Sequence, residues 1–257
     1  MFLELEGKNT FKDNYFEMLK YRLAFGSLEL EGIDGDLADI NQSIKIYNQL
    51  NAINYIFEKN PKSKITYFFN KFFPKSKMHH SDFTNLLCEV ADHVSGGEIT
   101  NFRTTDAIVS GSKVTRTKPQ MIRNYLWYLI DDYNYQLDNC KNEQDVYMAE
   151  AMFHIRLLHI HPFEDANGRT SRIILAYNMC KNNLAPCIIT KEVKKEYCNY
   201  IETGDYKGLA SLFEKLSKQE LQTMIALYTE LNDKGLIESN KMSDAQENEY
   251  NKIRSKK

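Results

Sequence analysis

The chain has 257 residues, 42% of them hydrophobic and 26% charged, with five cysteines and a formal net charge of −2. That make-up is ordinary for a globular chain and is enough for one large domain or two small ones. It excludes nucleic acid as the main partner, because phosphate contacts need a surplus of Lys and Arg. Cys88, Cys140, Cys180, Cys187 and Cys198 are odd in number and none forms a C-x-x-C pair, which argues against a disulfide framework or zinc ribbon. There is no basic segment followed by an apolar run at the N-terminus, nor any apolar run of membrane length. A cytoplasmic protein with no membrane partner is expected.

Helical periodicity dominates. Leu37, Ile40, Ile44, Tyr47, Leu50 and Phe57 recur at helical spacing, with Asn60-Pro61 as the stop signal. Phe83, Leu86, Leu87, Val90 and Val94 form a second stripe that ends at Gly96-Gly97. Residues 98–118 differ. They hold Thr100, Thr104, Thr105, Ile108, Val109, Val114 and Thr115, with Gly111-Ser112 before the last two, a composition that predicts a short β-hairpin. Pro119 opens a third helix with Ile122, Leu126, Leu129 and Tyr133 on one side. A fourth is predicted over Val146–Ile160, and a fifth from Gly168 with Ile173, Ile174, Tyr177 and Cys180. Two more are predicted over Glu192–Thr203 and Tyr206–Leu231, and the polar tail from Asn232 is expected to fray. The result is an all-α fold with one β-hairpin. Three regions are expected: an N-terminal helical region (1–80), a core (81–216), and a C-terminal helix with a polar tail (217–257).

The segment His161–Arg172, between the fourth and fifth helices, carries the chemistry. Gly168 lets the backbone approach a ligand closely. The first N–H groups of the following helix have no internal partner and, with the helix dipole, form an anion site. Asn167 adds a side-chain donor. Arg169 and Arg172 are three apart, near one helix face, and can reach successive phosphates. Asp165 suits Mg²⁺, which takes one or two carboxylates plus phosphate oxygens. His161 can take a proton from an attacking hydroxyl. A base, a metal ligand and a phosphate cradle are what phosphoryl-type transfer needs. Each residue also has a plainer role. His161-Pro162 can simply end a helix, Asp165 or Asn167 can cap the next one, and two arginines can form a solvated face.

The run His161-Pro162-Phe163-Glu164-Asp165-Ala166-Asn167-Gly168-Arg169-Thr170-Ser171-Arg172 resembles the signature of the Fic (filamentation induced by cAMP) family, H-P-F-x-D/E-G/A-N-G-R-x-x-R, at every fixed position. Ala151, His154 and Ile160-His161 resemble the family's central helix, and Tyr197 and Gly204-Asp205-Tyr206 its later segments, so the resemblance covers residues 81–216. It implies a protein adenylyltransferase that moves AMP from ATP to a Ser, Thr or Tyr hydroxyl of a target protein. By that resemblance His161 is the general base and Asp165 holds Mg²⁺ between the α- and β-phosphates. Asn167 and the amides around Gly168 stabilise the α-phosphate, Arg169 meets the β-phosphate and Arg172 the γ-phosphate. Phe163 anchors the loop, and Tyr197 is nominated, by position alone, for the adenine pocket. Gly168 favours nucleotide transfer, since relatives with Lys at that place transfer phosphate; Ala166 occurs in both groups. The hairpin 98–118 takes the place of the family's flap, which docks the target's extended segment by strand addition.

Ser27-Leu28-Glu29-Leu30-Glu31-Gly32 resembles the family's inhibitory pattern, S/T-x-x-x-E-G/N. It implies that Glu31 pairs with Arg172 and takes the γ-phosphate position, since a carboxylate competes with phosphate for arginine. A Ser-capped helical turn ended by Gly32 is the plainer alternative. Removal of AMP from a modified target, another nucleotide donor, and a non-catalytic nucleotide-binding module remain alternatives for the whole chain. The intact motif speaks against the last. A metal hydrolase built on His159, His161 and Asp165 has too sparse a ligand set, and His79-His80 has no acidic neighbour close by. No P-loop sequence exists, and no DNA-binding appendage is predicted. A homodimer is left open, as are the target and the modified residue.

Overall fold

The computed structural model describes residues 10–33, 39–58 and 77–235. Among these residues there are eight α-helices, in order α1 (Thr10–Glu29), α2 (Ile40–Glu58), α3 (His80–Ser95), α4 (Ile122–Asn139), α5 (Glu143–Ile160), α6 (Asn167–Lys181), α7 (Lys194–Thr203) and α8 (Tyr206–Asp233). Short 3-10 turns at Pro119–Met121 and Lys191–Val193 lead into α4 and α7. Local chemistry sets many of the ends. Gly96, at φ 77°, closes α3, with the Gly97 N–H reaching back to the Asp92 carbonyl. The side chains of Asn142 and Asp205 cap α5 and α8, accepting from the amides of Asp145 and Gly208.

α5 and α6 run through the middle. α5 buries residues on every side, from Tyr147 to Ile160, and all residues of α6 from Arg169 to Cys180 are buried, the pattern of helices surrounded by others. α4 and α8 pack on α5, α3 on α6, and α1 against α2, α6 and α8. α1 is part of the interior: Tyr15, Leu19, Ala24 and Leu28 are fully buried. A buried carboxylate fastens it, as Glu220 of α8 accepts from the Tyr15 hydroxyl at 3.0 Å and the Arg22 guanidinium at 2.9 Å. The line drawn at residue 216 falls inside α8, which runs unbroken past it.

The expectations for α3 and α4 hold closely, with Phe83, Leu87, Val90, Val94, Ile122, Leu126, Leu129 and Tyr133 all buried. α2 forms where expected, and Leu50 and Phe57 of its stripe do meet the core, but the first half of the stripe faces outward. Ile40, Ile44 and Tyr47 are 75%, 51% and 65% exposed, while Ile46, Ala52, Ile53 and Ile56 enter the core. α2 has two apolar stripes, and spacing alone could not choose between them. Leu37 and the stop at Asn60-Pro61 lie outside the described residues. α8 continues through Asn232 to Asp233, past the expected start of fraying; the tail from 236 lies outside the described residues. The five cysteines are free thiols, and among the described residues no helix is long and apolar enough to cross a membrane.

The β-hairpin is corrected. Residues 98–118 form an extended loop with a turn at Ser110–Gly111 and no strand. The cause is Arg103, whose buried guanidinium lies between the two arms and donates to the Thr105 carbonyl at 2.6 Å and to the Thr117 carbonyl. It occupies carbonyls that a backbone ladder would have used.

Candidate functional site

The loop between α5 and α6 is bracketed by two non-glycine residues in the left-handed region, His161 at φ 51° and Ala166 at φ 63°. Such residues cost on the order of 1–2 kcal/mol each and persist where the surroundings over-determine them. Two contacts do so here. Phe163 is fully buried against Phe102 and the core. The Asn167 side chain reaches back and forms a two-way clasp with Phe163, accepting from its N–H at 2.9 Å and donating to its carbonyl at 2.8 Å. The Asn167 amide is therefore committed to the loop's own backbone. The anion donors at the start of α6 are main-chain N–H groups, which the first helical turn leaves without internal partners.

Arg103 fixes the loop from the other side. Besides Thr105 and Thr117 it donates to the carbonyls of His161 at 2.6 Å and Ile160 at 3.2 Å, and its own N–H meets the Pro162 carbonyl at 2.9 Å. One buried guanidinium thus joins the 98–118 segment to the end of α5. Sequence reasoning missed it; an arginine in a threonine-rich segment gives no signal of its own.

His161 is half-buried, and its pKa is lowered from 6.5 to about 4. Burial is the main cause, the positive charges of Arg116 and Arg103 add to it, and Asp165 works against it. The imidazole is neutral at pH 7 and able to accept a proton. His159 is not beside it as a metal ligand: its Nε2 donates to the Ile201 carbonyl at 2.8 Å. Among the described residues no three His, Cys, Asp or Glu side chains gather to hold a metal.

Arg169 and Arg172 lie on the buried side of α6. Arg172 donates to the Ser27 hydroxyl at 2.7 Å, to the Ser27 carbonyl at 3.0 Å and to Glu31 at 3.0 Å. Glu31 also approaches Arg169, with its other oxygen 3.2 Å from Nε. That nitrogen's hydrogen is not aimed at an acceptor, so this second contact is an ion pair by charge and distance only. Arg169 also meets Asp165, 2.9 Å away, whose side chain is 83% exposed, and donates to the Val94 carbonyl at 3.5 Å. The four residues form a chain of alternating charge: Asp165, Arg169, Glu31, Arg172. Ser27 is within the last turn of α1, so it is no N-cap. The turn after the helix, with Gly32 at φ 78°, holds Glu31 over the arginines. Gly168 has a local reason to be glycine: a Cβ there would stand 2.9 Å from Nη1 of Arg172.

Tyr197 is fully buried, with its hydroxyl 2.7 Å from Nε2 of His154. Its ring offers no open face to a base, which corrects the adenine-pocket nomination. It backs Arg172 instead, and that positive charge partly offsets the burial that raises its pKa to about 12. His154, buried beside it, is held neutral, its pKa lowered to about 3 by burial and by Arg172.

This arrangement brings together, in a helical domain, a loop leading into a helix N-terminus, a neutral histidine and two arginines. Residues 82–179 match the Fic/DOC family model. A curated relative, "Protein adenylyltransferase fic-1" of Caenorhabditis briggsae, is 29% identical over 160 residues, 58% of this chain but 30% of the relative. The chain therefore spans about a third of that relative's length. Two solved structures share the fold. A Fic domain containing signaling protein from Bacteroides thetaiotaomicron has a TM-score of 0.67 at 17% identity, covering 92% of this chain and 95% of that one. Fic-1 (aa134 - 508) from C. elegans has a TM-score of 0.66 at 18% identity, covering 86% and 67%.

Proposed function

We propose that the protein transfers AMP from ATP to a hydroxyl side chain of another protein and that Glu31 restrains this activity. The observation that carries the reading is the His161–Arg172 loop, in which a neutral, half-buried imidazole stands beside a helix N-terminus and two arginines. The relative's name, an adenylyltransferase, supports ATP as donor. His161 takes the proton of the target hydroxyl as its oxygen attacks the α-phosphorus. The bond to the bridging oxygen breaks and pyrophosphate leaves. The N–H groups at the start of α6 bind the α-phosphate, and Arg169 and Arg172 bind the rest of the triphosphate. The Asn167 side chain acts on the phosphate only through the loop it clasps.

Mg²⁺ fits one residue of the site. Asp165 is exposed and is paired only with Arg169, which suits an ion that takes one carboxylate and completes its shell with phosphate oxygens and water. When bound, the ion would neutralise phosphate charge. The 98–118 loop is the proposed docking edge for the target, and a reducing, cytoplasmic setting suits five free thiols.

Restraint follows from competition. Glu31 occupies Arg172, which a γ-phosphate would need. A charge-assisted hydrogen bond is worth about 1.5–3 kcal/mol, so removing the carboxylate is expected to raise productive turnover roughly 10- to 150-fold. Arg172 keeps its two contacts to Ser27 in such a variant, so the site persists. The test is incubation with α-³²P-ATP and Mg²⁺ of wild type, Glu31→Gly, and Glu31→Gly with His161→Ala, reading label on the chain and on lysate proteins. Label is expected with Glu31→Gly and is abolished by the His161 change. Equal label in wild type and Glu31→Gly would refute the restraint. Label that survives His161→Ala would refute the base.

A further inference from the structure

The second arm of the 98–118 segment, α4 and α5 enclose an open cleft of about 650 Å³. Three features of it belong together. The first is its place: His159 and Ile160 line its wall, so the cleft runs up to the residue before His161. Arg116, also in the wall, is the charge that acts most on the His161 imidazole. The second is its apolar floor. Tyr125 and Tyr128, one turn apart on α4, are 49% and 67% exposed, with Met121 partly exposed beside them. Exposed rings in a concave site are typical of surfaces that bind polypeptide.

The third is charge. Arg116, Lys118 and Arg156 line the cleft against a single carboxylate, Asp132. Asp132 is already bonded to Arg156. Lys118 meets Asp106 only across 3.5 Å between two exposed side chains, a contact worth little. Arg116 gives Nη2 to the Ser112 hydroxyl at 2.8 Å, and Ser112 in turn donates to Glu202. Its Nε and Nη1 are covered and have no partner, in a side chain that is half-buried. A guanidinium left short of acceptors is a favourable neighbour for an incoming carboxylate.

We propose that this cleft binds an acidic stretch of the target polypeptide beside the accepting hydroxyl, with a carboxylate side chain on Arg116 and Lys118 and the backbone laid across Tyr125 and Tyr128. The inference rests on the transferase reading for its account of the hydroxyl, and it makes Arg116 a specificity determinant. Arg116 and Lys118, neither of them bonded to the cleft's own carboxylate Asp132, suit one or two carboxylates, and the apolar floor suits a peptide.

The test uses the full chain and fluorescence anisotropy without ATP. The probes are two fluorescein-labelled 12-residue peptides with one central Thr, flanked in one by three Glu and in the other by three Lys. The Glu peptide is expected to bind at least ~10-fold more tightly, the effect of about one charge-assisted contact. Arg116→Glu is expected to abolish or reverse that preference. Lys118→Glu, on an exposed side chain that folding does not need, is expected to reduce it. Tyr125→Ala with Tyr128→Ala is expected to weaken both peptides with an unchanged melting temperature. Equal binding of the two peptides, or a preference that neither charge reversal alters, overturns the proposal. So does tighter binding of a 20-residue poly(U) oligonucleotide in the same cleft, or self-association that Tyr128→Ala removes. Because no nucleotide is present, the peptide result is independent of whether Glu31→Gly labels. Labelling without peptide preference sinks the cleft and leaves the transferase. Peptide preference without labelling does the reverse.

Discussion

Glu150 sits in the centre of the bundle, on α5, with no exposure to solvent. One of its oxygens accepts from the Tyr133 hydroxyl and, at 2.8 Å, from Asn182; the other lies 3.4 Å from the Asn178 amide nitrogen. No cation bonds to it. Burial raises its pKa from 4.5 to about 7, against the pull of those three donors. The native state thus favours the neutral acid, whose proton needs an acceptor. The Asn178 side-chain oxygen is buried nearby without a partner, and a flipped amide would offer it to that proton. The folded pKa is the higher one, so the stability it confers is full below about pH 4.5 and is lost as pH rises through about 7. The gap corresponds to roughly 3 kcal/mol, a large part of the ~5–15 kcal/mol that holds a domain together. Glu150→Gln keeps the shape and cannot ionise. Urea titrations of both proteins at about pH 5 and about pH 8 isolate the effect, because every other titrating group cancels in the double difference. The variant's stability relative to wild type is expected to be roughly 3 kcal/mol more favourable at the higher pH. The same relative stability at both pH values would refute the assignment.

His161 gives a second pH signature with a different sign and readout. Burial lowers its pKa to about 4, and a base must be unprotonated, so labelling by Glu31→Gly is expected to stay level from about pH 8 down to about pH 5.5 and then fall. An inflection near 6.5, the ordinary histidine value, would show an imidazole open to water. Arg103→Met strips donors from four carbonyls, each costing about 1–3 kcal/mol where it stays dry. Some are reached by water in the variant, so a loss of roughly 3 kcal/mol is expected by denaturant titration. Hydrogen exchange is expected to rise together in 98–118 and in 161–166; a rise confined to 98–118 would show that the arginine does not join the two.

The fold was readable wherever one stripe of a helix was plainly the more apolar. Ile122, Leu126, Leu129 and Tyr133 mark the buried side of α4, which Ile130 and Leu137 extend, although Tyr125, Trp127, Tyr128 and Tyr135 stay exposed on the same helix. α2 failed the same test because Ile40, Ile44 and Tyr47 keep helical spacing on the side facing water. The site's residue types were readable, since base, carboxylate and arginines follow one another in twelve positions. Their partners were not. Asn167 clasps Phe163, Tyr197 supports Arg172 through the interior, and Arg103 crosses from one loop to another; each is set by tertiary contacts far apart in sequence. The hairpin was misread for a related reason. β-branched composition announces an extended chain, but a ladder needs two arms with free carbonyls, and here a side chain took them.

The carboxylate that meets Arg172, proposed above as the restraint, sits on the turn that follows a helix belonging to the interior. Tyr15, Leu19 and Leu28 fill space between α2, α6 and α8, and Glu220 loses both its partners if α1 is gone. A chain shortened to start after Gly32 would therefore not be a freed catalyst; it would be a bundle with an open seam and a stranded buried acid. Loss of α1, by truncation or by a partner that peels it away, is expected to destabilise the domain. Under the proposed restraint, relief is expected from small motions of one turn, residues 30–33, with Glu31 swinging off the arginines while α1 stays in place.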